Sequence, residues 1–439
     1  PTRVRLLTRA AQYFFTRSYA PGSDVFAAAR LALLALYRVA SLWAMFANNL
    51  GLAAGNFLLL ISLAVSGSEP LVQDQRLAAG QHRQKLQELH AWAGAQHFEP
   101  PLWLRQADLQ TMWYVIRDIA ARVRDDRISP RQIWAHIMGQ CEAAATGAAP
   151  PLCDAEAVKI SFEDEGFLTG LLNRSGNNRR LVILFHGLEG SVQAAYMRSV
   201  ARDLLRHQIC ALRVNMVNCG GSEACSRRFY HAGFTKMLDI SVRWAKQQRF
   251  EQIVLVGFSL GANLVLKYLG DADFSGAREV VGAVAVSVPI DLAQGVACID
   301  RARNKFYRYR FLQSMHTTFW RKQQLFPDLF PKEVVRVRTI AEFDDQYTAP
   351  ANSFSSGIEY YQKTSSISYL AGIDRPTLIL HAQDDVFIPF DAFRNYNWRL
   401  NPNLIRLFPE RGGHIGFHSS ARENWMEKRV TEFCNKLMT

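Results

Sequence analysis

From residue 155 onward, short β-branched runs alternate with amphipathic helical stretches, and nothing else in the chain restricts its fold as strongly. The runs fall at 158–162, 181–185, 209–214, 253–256, 280–288, 377–380 and 404–407, with helical segments such as 194–207, 234–248 and 260–269 between them. Strands that alternate with helices specify a mostly parallel central sheet with helices on both faces. LVILF at 181–185 and IVLVG at 253–257 are apolar throughout, as strands buried on both sides require. The expected fold class is α/β.

The run at 253–256 ends in Gly257-Phe258-Ser259-Leu260-Gly261, and ANLVLKYLG follows directly as a helix. G-x-S-x-G is common by chance, but between a strand and a helix it reads as a nucleophile elbow. Its glycines let strand and helix close on one residue in strained backbone, so the Ser259 hydroxyl stands clear at the carboxyl edge of the sheet. Neither G-x-G-x-x-G nor G-x-x-x-x-G-K-[ST] occurs, so a phosphate-cradling loop is not indicated.

A serine nucleophile needs a base, and the base an orienting acid; with this elbow the chain order is Ser, then Asp or Glu, then His. The run 377–380 leads into His381-Ala-Gln-Asp384-Asp385-Val-Phe-Ile-Pro389. Asp385 is the expected acid because it lies four residues before a proline and is followed by apolar residues; Asp384 is the alternative. Only His414 and His418 lie beyond it. His414, in the loop Arg411-Gly-Gly-His414, is the expected base, and His418 reads as a surface or capping residue. The oxyanion donors are expected from the backbone N–H of Leu260 and from that of Leu188 in His186-Gly-Leu-Glu-Gly-Ser191. His186 and Glu189 read as loop-shaping, with substrate contact as the alternative for Glu189.

Further motifs run in order through the chain: Phe98-Glu-Pro-Pro-Leu-Trp-Leu-Arg105 with Leu109-Gln-Thr-Met-Trp113, HGLEGS at 186–191, Tyr230-His-Ala-Gly233 and GFSLGAN at 257–263. They continue with Ile340-Ala-Glu-Phe-Asp-Asp345, Thr348-Ala-Pro350, Tyr360-Tyr361 with Ser365-Ser366, HAQDDVFIP at 381–389 and GGHIGF at 412–417. Over roughly 97–439 the chain thus resembles the α/β-hydrolase 4 family, which groups YheT-like bacterial hydrolases with mammalian hydrolase-domain phospholipases and yeast ethanol acyltransferases. The resemblance implies an α/β-hydrolase fold at 96–439 with a helical cap inserted at about 291–350, and it places the family's triad on Ser259, Asp385 and His414. Two departures bear on substrate. Asn218-Cys-Gly-Gly-Ser222 stands where the family usually reads Arg-Gly-Cys-x-Gly-Ser, and about forty residues between Trp113 and Ala155 exceed the family's usual length.

Residues 1–95 differ in kind. The stretch 39–68 holds no Asp, Glu, Lys, Arg or His, which as a helix exceeds the roughly 20 residues that span a bilayer. Asn48, Asn49, Asn56, Gly51 and Gly55 interrupt it, so a re-entrant or buried hairpin competes with a spanning helix. Upstream, Arg30 and Arg38 share one helical face of an apolar segment, which suits an interfacial helix, and Arg3, Arg5, Arg9 and Arg17 precede it. An apolar region this far into the chain is too late for a cleaved signal peptide. One span at 47–67 would carry the remainder across the membrane; a hairpin would leave it cytoplasmic. Seven scattered cysteines without a C-x-x-C suggest a reducing compartment and favour the cytoplasmic side. The remaining alternative is a soluble helical subdomain.

With 51 Lys and Arg against 39 Asp and Glu the chain carries +12, which favours acidic partners. Within the expected cap, 301–322 holds seven basic residues and no acid, interleaved with Phe306, Tyr307, Tyr309, Phe311, Phe319 and Trp320. That composition suits a lid on anionic headgroups, with Arg301, Arg303, Lys305, Arg308 and Arg310 as candidate contacts. A basic helix that packs its aromatics on the core is the alternative. Nucleic acid is not the expected partner, because binding it would leave the triad without a use. The function expected is serine ester hydrolysis, esterase or lipase, on medium- to long-chain acyl or glycerolipid esters, with no cofactor and no metal. An acyltransferase and a catalytically silent binding protein are the alternatives.

Overall fold

The computed structural model describes residues 69–113, 155–161, 166–176, 179–271, 277–329, 335–420 and 424–439. The apolar segment 39–68 with its basic flank, and the extra residues 114–154, lie outside them. Two compact units divide the chain, 1–81 and 82–439. Helix α1 (Glu69–Gly94) runs through the border; the other described elements belong to the second unit. Among the described residues no helix is long and apolar enough to cross a membrane.

Eight strands form one sheet: β1 (Glu156–Ser161), β2 (Phe167–Asn173), β3 (Arg180–Phe185), β4 (Cys210–Val214), β5 (Gln252–Phe258), β6 (Val280–Val286), β7 (Thr377–Leu380) and β8 (Leu404–Leu407). Their order is β1-β2-β4-β3-β5-β6-β7-β8. The six strands from β3 to β8 run parallel, and β1 and β2 are antiparallel additions at one edge. Alternate residues of β3 serve two cores: Leu181, Ile183 and Phe185 on one face, Val182 and Leu184 on the other. The first face is covered by α3 (Lys236–Gln247) and α4 (Leu260–Gly270), the second by α2 (Ala195–Arg206) and α9 (Trp425–Met438), joined by Leu86, Leu89 and Ala93 of α1.

The sequence reading misses β2. Its FLTGLLN holds Gly170, which ordinarily weakens a strand. Here a Cβ at that position would lie 3.0 Å from the Arg213 carbonyl and 3.1 Å from the Val158 side chain, so glycine permits the close approach of β1 and β4.

The chain between β6 and β7 forms the helical cap: α5 (Leu292–Ile299), α6 (Lys305–Leu325), α7 (Ile340–Phe343), a π-helical turn at Asp344–Thr348 and α8 (Gly357–Thr364).

Candidate active site

Ser259 occupies the turn from β5 into α4 at φ 52°, a backbone region that a side chain rarely adopts. Both flanking glycines are sterically required. A Cβ on Gly257 would meet the Gly261 carbonyl at 2.3 Å, and one on Gly261 would meet the Phe185 and His186 carbonyls at 2.5 Å. The loop after β3 passes over the elbow so closely that a Cβ on Gly187 would sit 3.1 Å from that of Ser259.

The structure sets Asp385, not Asp384, against the imidazole. His414 Nδ1 lies 2.8 Å from Asp385 Oδ2, while Phe387 and Ile388 donate their N–H groups to Oδ1 at 2.8 and 3.0 Å. Burial pushes the Asp385 carboxyl upward, but the charge and hydrogen bond of His414, aided by His381 and the Phe387 amide, outweigh it and hold the group below its ordinary range. Asp384 accepts from Gly413 N–H at 2.9 Å and so supports the loop that carries His414. His418 is fully buried, its ring near Asn424 at 3.4 Å. The surface reading of that residue is therefore corrected: the last helix starts at Trp425, capped by Asn424, and His418 lies inward, where Gln110 binds its backbone on both sides.

Sequence reasoning missed the groups that hold these loops. Thr111 Oγ1 accepts from His414 N–H at 2.9 Å, and Ser287 Oγ from Ile415 N–H at 3.0 Å. A Cβ on Gly413 would strike the Ala107 carbonyl at 2.4 Å, Thr111 Oγ1 at 2.7 Å and Gln110 Cβ at 3.0 Å, so the segment 107–111 is packed into the histidine loop. The loop 186–192 is held from β4. Arg213, buried within an otherwise apolar strand, donates to the Val192 carbonyl at 2.8 Å, and Asn215 Oδ1 accepts from Val192 N–H at 2.8 Å. Desolvation, then the charge of Arg198, brings the Arg213 guanidinium down to about 10. His186 is fully buried, and desolvation lowers it to about 4 despite its contact with the Gly187 carbonyl. It is therefore neutral at ordinary pH, with Nε2 accepting from Met216 N–H at 3.0 Å and Nδ1 facing the Gly187 carbonyl at 2.8 Å.

Ser259 and His414 both face a cleft of about 790 Å³, measured out to its open mouth. Leu188 and Leu260 line it beside the elbow, and the cap supplies apolar walls such as Val296, Ile299, Phe311, Met315 and Phe343. Two carboxyl groups interrupt them. Glu189 is raised by desolvation, opposed by its hydrogen bonds from Tyr230 and Thr318. Asp344, on the π-turn, is raised from 3.8 to about 6 by desolvation, against hydrogen bonds from Thr348 and Tyr361. A carboxyl whose folded value is raised adds stability below its unfolded value, and that stability is lost as pH climbs through the folded value. Asp344→Asn is therefore expected to stabilise the protein above pH 6, by up to about 3 kcal/mol, with the gain vanishing below about pH 4. Thermal midpoints across that range check this; a pH-independent difference would refute it.

The five candidate headgroup contacts are not equivalent. Arg301, Arg303 and Lys305 are exposed, with Arg303 3.8 Å from Asp108. Arg308 and Arg310 are half-buried, and Arg308 binds the Asp300 carbonyl. At the far end of the basic stretch, Arg321 pairs with Glu223 at 3.0 Å and buried Lys322 binds the carbonyls of Glu223 and Ser226. Those two fasten the cap and do not face outward as a lipid-binding pair. The aromatics divide likewise: Phe319 is core and Phe311 lines the cleft, while Phe306, Tyr309 and Trp320 are exposed.

A serine on a strained strand-to-helix turn, sharing an apolar cleft with an acid-supported imidazole, characterises hydrolases that work through a serine nucleophile. Residues 180–421 match the family model described as the alpha/beta hydrolase fold, and the chain belongs to that family. It is similar to the Escherichia coli protein YheT, an esterase by name, at 28% identity over 259 residues, 57% of this chain and 75% of the relative. Two Saccharomyces cerevisiae proteins are also similar. One is a monoacylglycerol lipase, 27% identical over 59% of this chain and 60% of its own length; the other is a medium-chain fatty acid ethyl ester synthase/esterase, 26% identical over 58% and 62%. The chain thus spans less than two thirds of each yeast relative.

Proposed function

We propose that the protein hydrolyses medium- to long-chain acyl esters through an acyl-enzyme on Ser259. The observation that carries this reading is the placement of Ser259 and the Asp385-supported His414 on one largely apolar cleft. Ser259 Oγ attacks the ester carbonyl and His414 Nε2 takes its proton, while Asp385 stabilises the resulting imidazolium. The N–H groups of Leu260 and Leu188 receive the oxyanion. Gly187 N–H already donates to the Tyr196 hydroxyl at 3.1 Å, which supports the next amide, that of Leu188, for the role. His414 then returns the proton to the leaving alcohol, and water, deprotonated by the same imidazole, releases the acid.

Glycerolipids are the proposed substrates, in keeping with the monoacylglycerol lipase among the relatives. Phe306, Tyr309 and Trp320 fall within one face of α6 by helical spacing and are 40%, 48% and 55% exposed. With exposed Arg301, Arg303 and Lys305 beside them, this face supports docking on an anionic membrane surface. Residues 1–95, with the uncharged stretch 39–68, are proposed as a second membrane-seeking element, with the hydrolase domain on the cytoplasmic side. Acyl transfer is the second reading, favoured by the ester synthase/esterase relative, because an alcohol can resolve the same acyl-enzyme.

The test presents a long-chain monoacylglycerol in neutral and in anionic vesicles, with ethanol added, and identifies products by mass spectrometry. Free fatty acid, released faster from anionic vesicles, is expected. Equal rates on the two vesicle types would remove the docking surface, a predominance of ethyl ester would select acyl transfer, and no acyl product at all would defeat the substrate assignment.

A further inference from the structure

We propose that Glu189 is a positioning residue through which the seating of cap helix α6 sets the oxyanion loop; this rests on Ser259 and the Leu188 amide acting as described above. Glu189 is the residue after Leu188 and, like Ser259, has a left-handed backbone, φ 53°. A non-glycine residue keeps such a conformation only when its surroundings over-determine it.

The surroundings are two hydroxyl donors from different parts of the fold. Tyr230 donates to Oε1 at 2.6 Å, and Thr318, on α6, donates to Oε2 at 2.7 Å. Arg321 acts on this carboxylate through its charge while its guanidinium bonds Glu223, so the two hydroxyls are the hydrogen bonds that orient Glu189. Tyr230 is itself fixed, since Asn218 Oδ1 accepts from its backbone N–H at 3.0 Å. The movable partner is therefore the one on the cap.

Thr318 does not act alone on α6. Thr318, Arg321 and Lys322 lie at i, i+3 and i+4, one face of the helix, and all three bond to the hydrolase body: to Glu189, to the Glu223 carboxylate, and to the Glu223 and Ser226 carbonyls. Of the three, only Thr318 reaches the loop over the nucleophile. The same helix lines the cleft through Phe311 and Met315 and exposes Phe306, Tyr309 and Trp320 on its outer side. A cap displaced by substrate or by a surface pulls first on this bond. Releasing Glu189 lets its strained backbone relax and carries the Leu188 amide out of line.

The test uses the full chain, a soluble short-chain ester and, as a separate probe of Ser259, a fluorophosphonate. Thr318→Val removes the donor at nearly constant volume and is expected to lower kcat and the phosphonylation rate about ten-fold, with KM within about two-fold of wild type. Thr318→Ser, which keeps the hydroxyl, is expected to restore both rates. In a Glu189→Ala background Thr318→Val should add nothing further, because the link is already cut. Wild-type rates in Thr318→Val, equal losses in the valine and serine variants, or additive losses with Glu189→Ala each overturn the proposal. If Thr318→Val does not fold, Tyr230→Phe removes the other donor and carries the same expectation; wild-type rates there overturn it too. A wild-type protein that the probe fails to label would instead overturn the assignment of Ser259.

Discussion

Ser259→Ala is expected to abolish ester turnover, a loss of about a million-fold in kcat, while the protein folds as before. The backbone at 259 already carries a Cβ at φ 52°, so alanine introduces no conformation that serine does not occupy, and removal of Oγ creates no clash with Gly187, whose approach is to the Cβ. What disappears is the covalent path proposed for the reaction. His414 can still polarise a water and the oxyanion amides can still bind, and that remnant is worth about three to four orders of magnitude over the uncatalysed reaction. The comparison requires kcat on a soluble ester together with the thermal midpoint. A folded Ser259→Ala protein that retains ordinary turnover would show that another group is the nucleophile.

The parts legible in the sequence are those whose physics is local. The parallel strands announce themselves because a strand covered on both faces has to be apolar at every position, as LVILF is. The elbow is legible for a similar reason: Gly257 and Gly261 answer to contacts within a few residues and to the neighbouring strand. β2 is hidden because the glycine that weakens its strand signal is there to admit Arg213 and Val158, partners that only the assembled sheet supplies. The same holds for the supports of the site. Nothing near residue 110 says that Gln110 will bind the backbone of His418 or that Thr111 will hold His414, since those contacts cross more than 300 positions. His418 reads as a surface or capping residue because it stands just ahead of the final helix, and only the folded loop turns it inward against Gln110 and Asn424.

The basic cap stretch shows how composition blends two different jobs. Seven positive charges without an acid read as one lipid-facing surface, yet the Glu223 carboxylate that pairs with Arg321 and the Glu223 and Ser226 carbonyls that hold Lys322 come from the segment 223–226. Charge counted along the chain overstates the free positive surface wherever partners arrive from elsewhere in the fold. What remains outward is the end of α6 and its approach, 301–305, a smaller and better-defined patch.

The adjacent acids 384 and 385 offer the second large effect, because their geometry predicts losses of very different size for the same chemical change. Asp385→Asn keeps size but must choose which atom faces which partner. Phe387 and Ile388 present two N–H donors to Oδ1, so the amide oxygen is drawn to them and the NH₂ group turns toward His414. Nδ1 then has to accept a hydrogen bond, which places the ring proton on Nε2 and leaves that nitrogen unable to take the proton of Ser259. A misplaced tautomer of this kind costs about 10⁴-fold in kcat. Asp384→Asn retains a carbonyl oxygen for Gly413 N–H and leaves the imidazole untouched, so its loss should stay within about ten-fold. Measuring kcat for both variants on one soluble ester, with circular dichroism to confirm folding, separates the two. Comparable losses, or a larger one at 384, would mean that the acid supporting the base had been assigned to the wrong member of the pair.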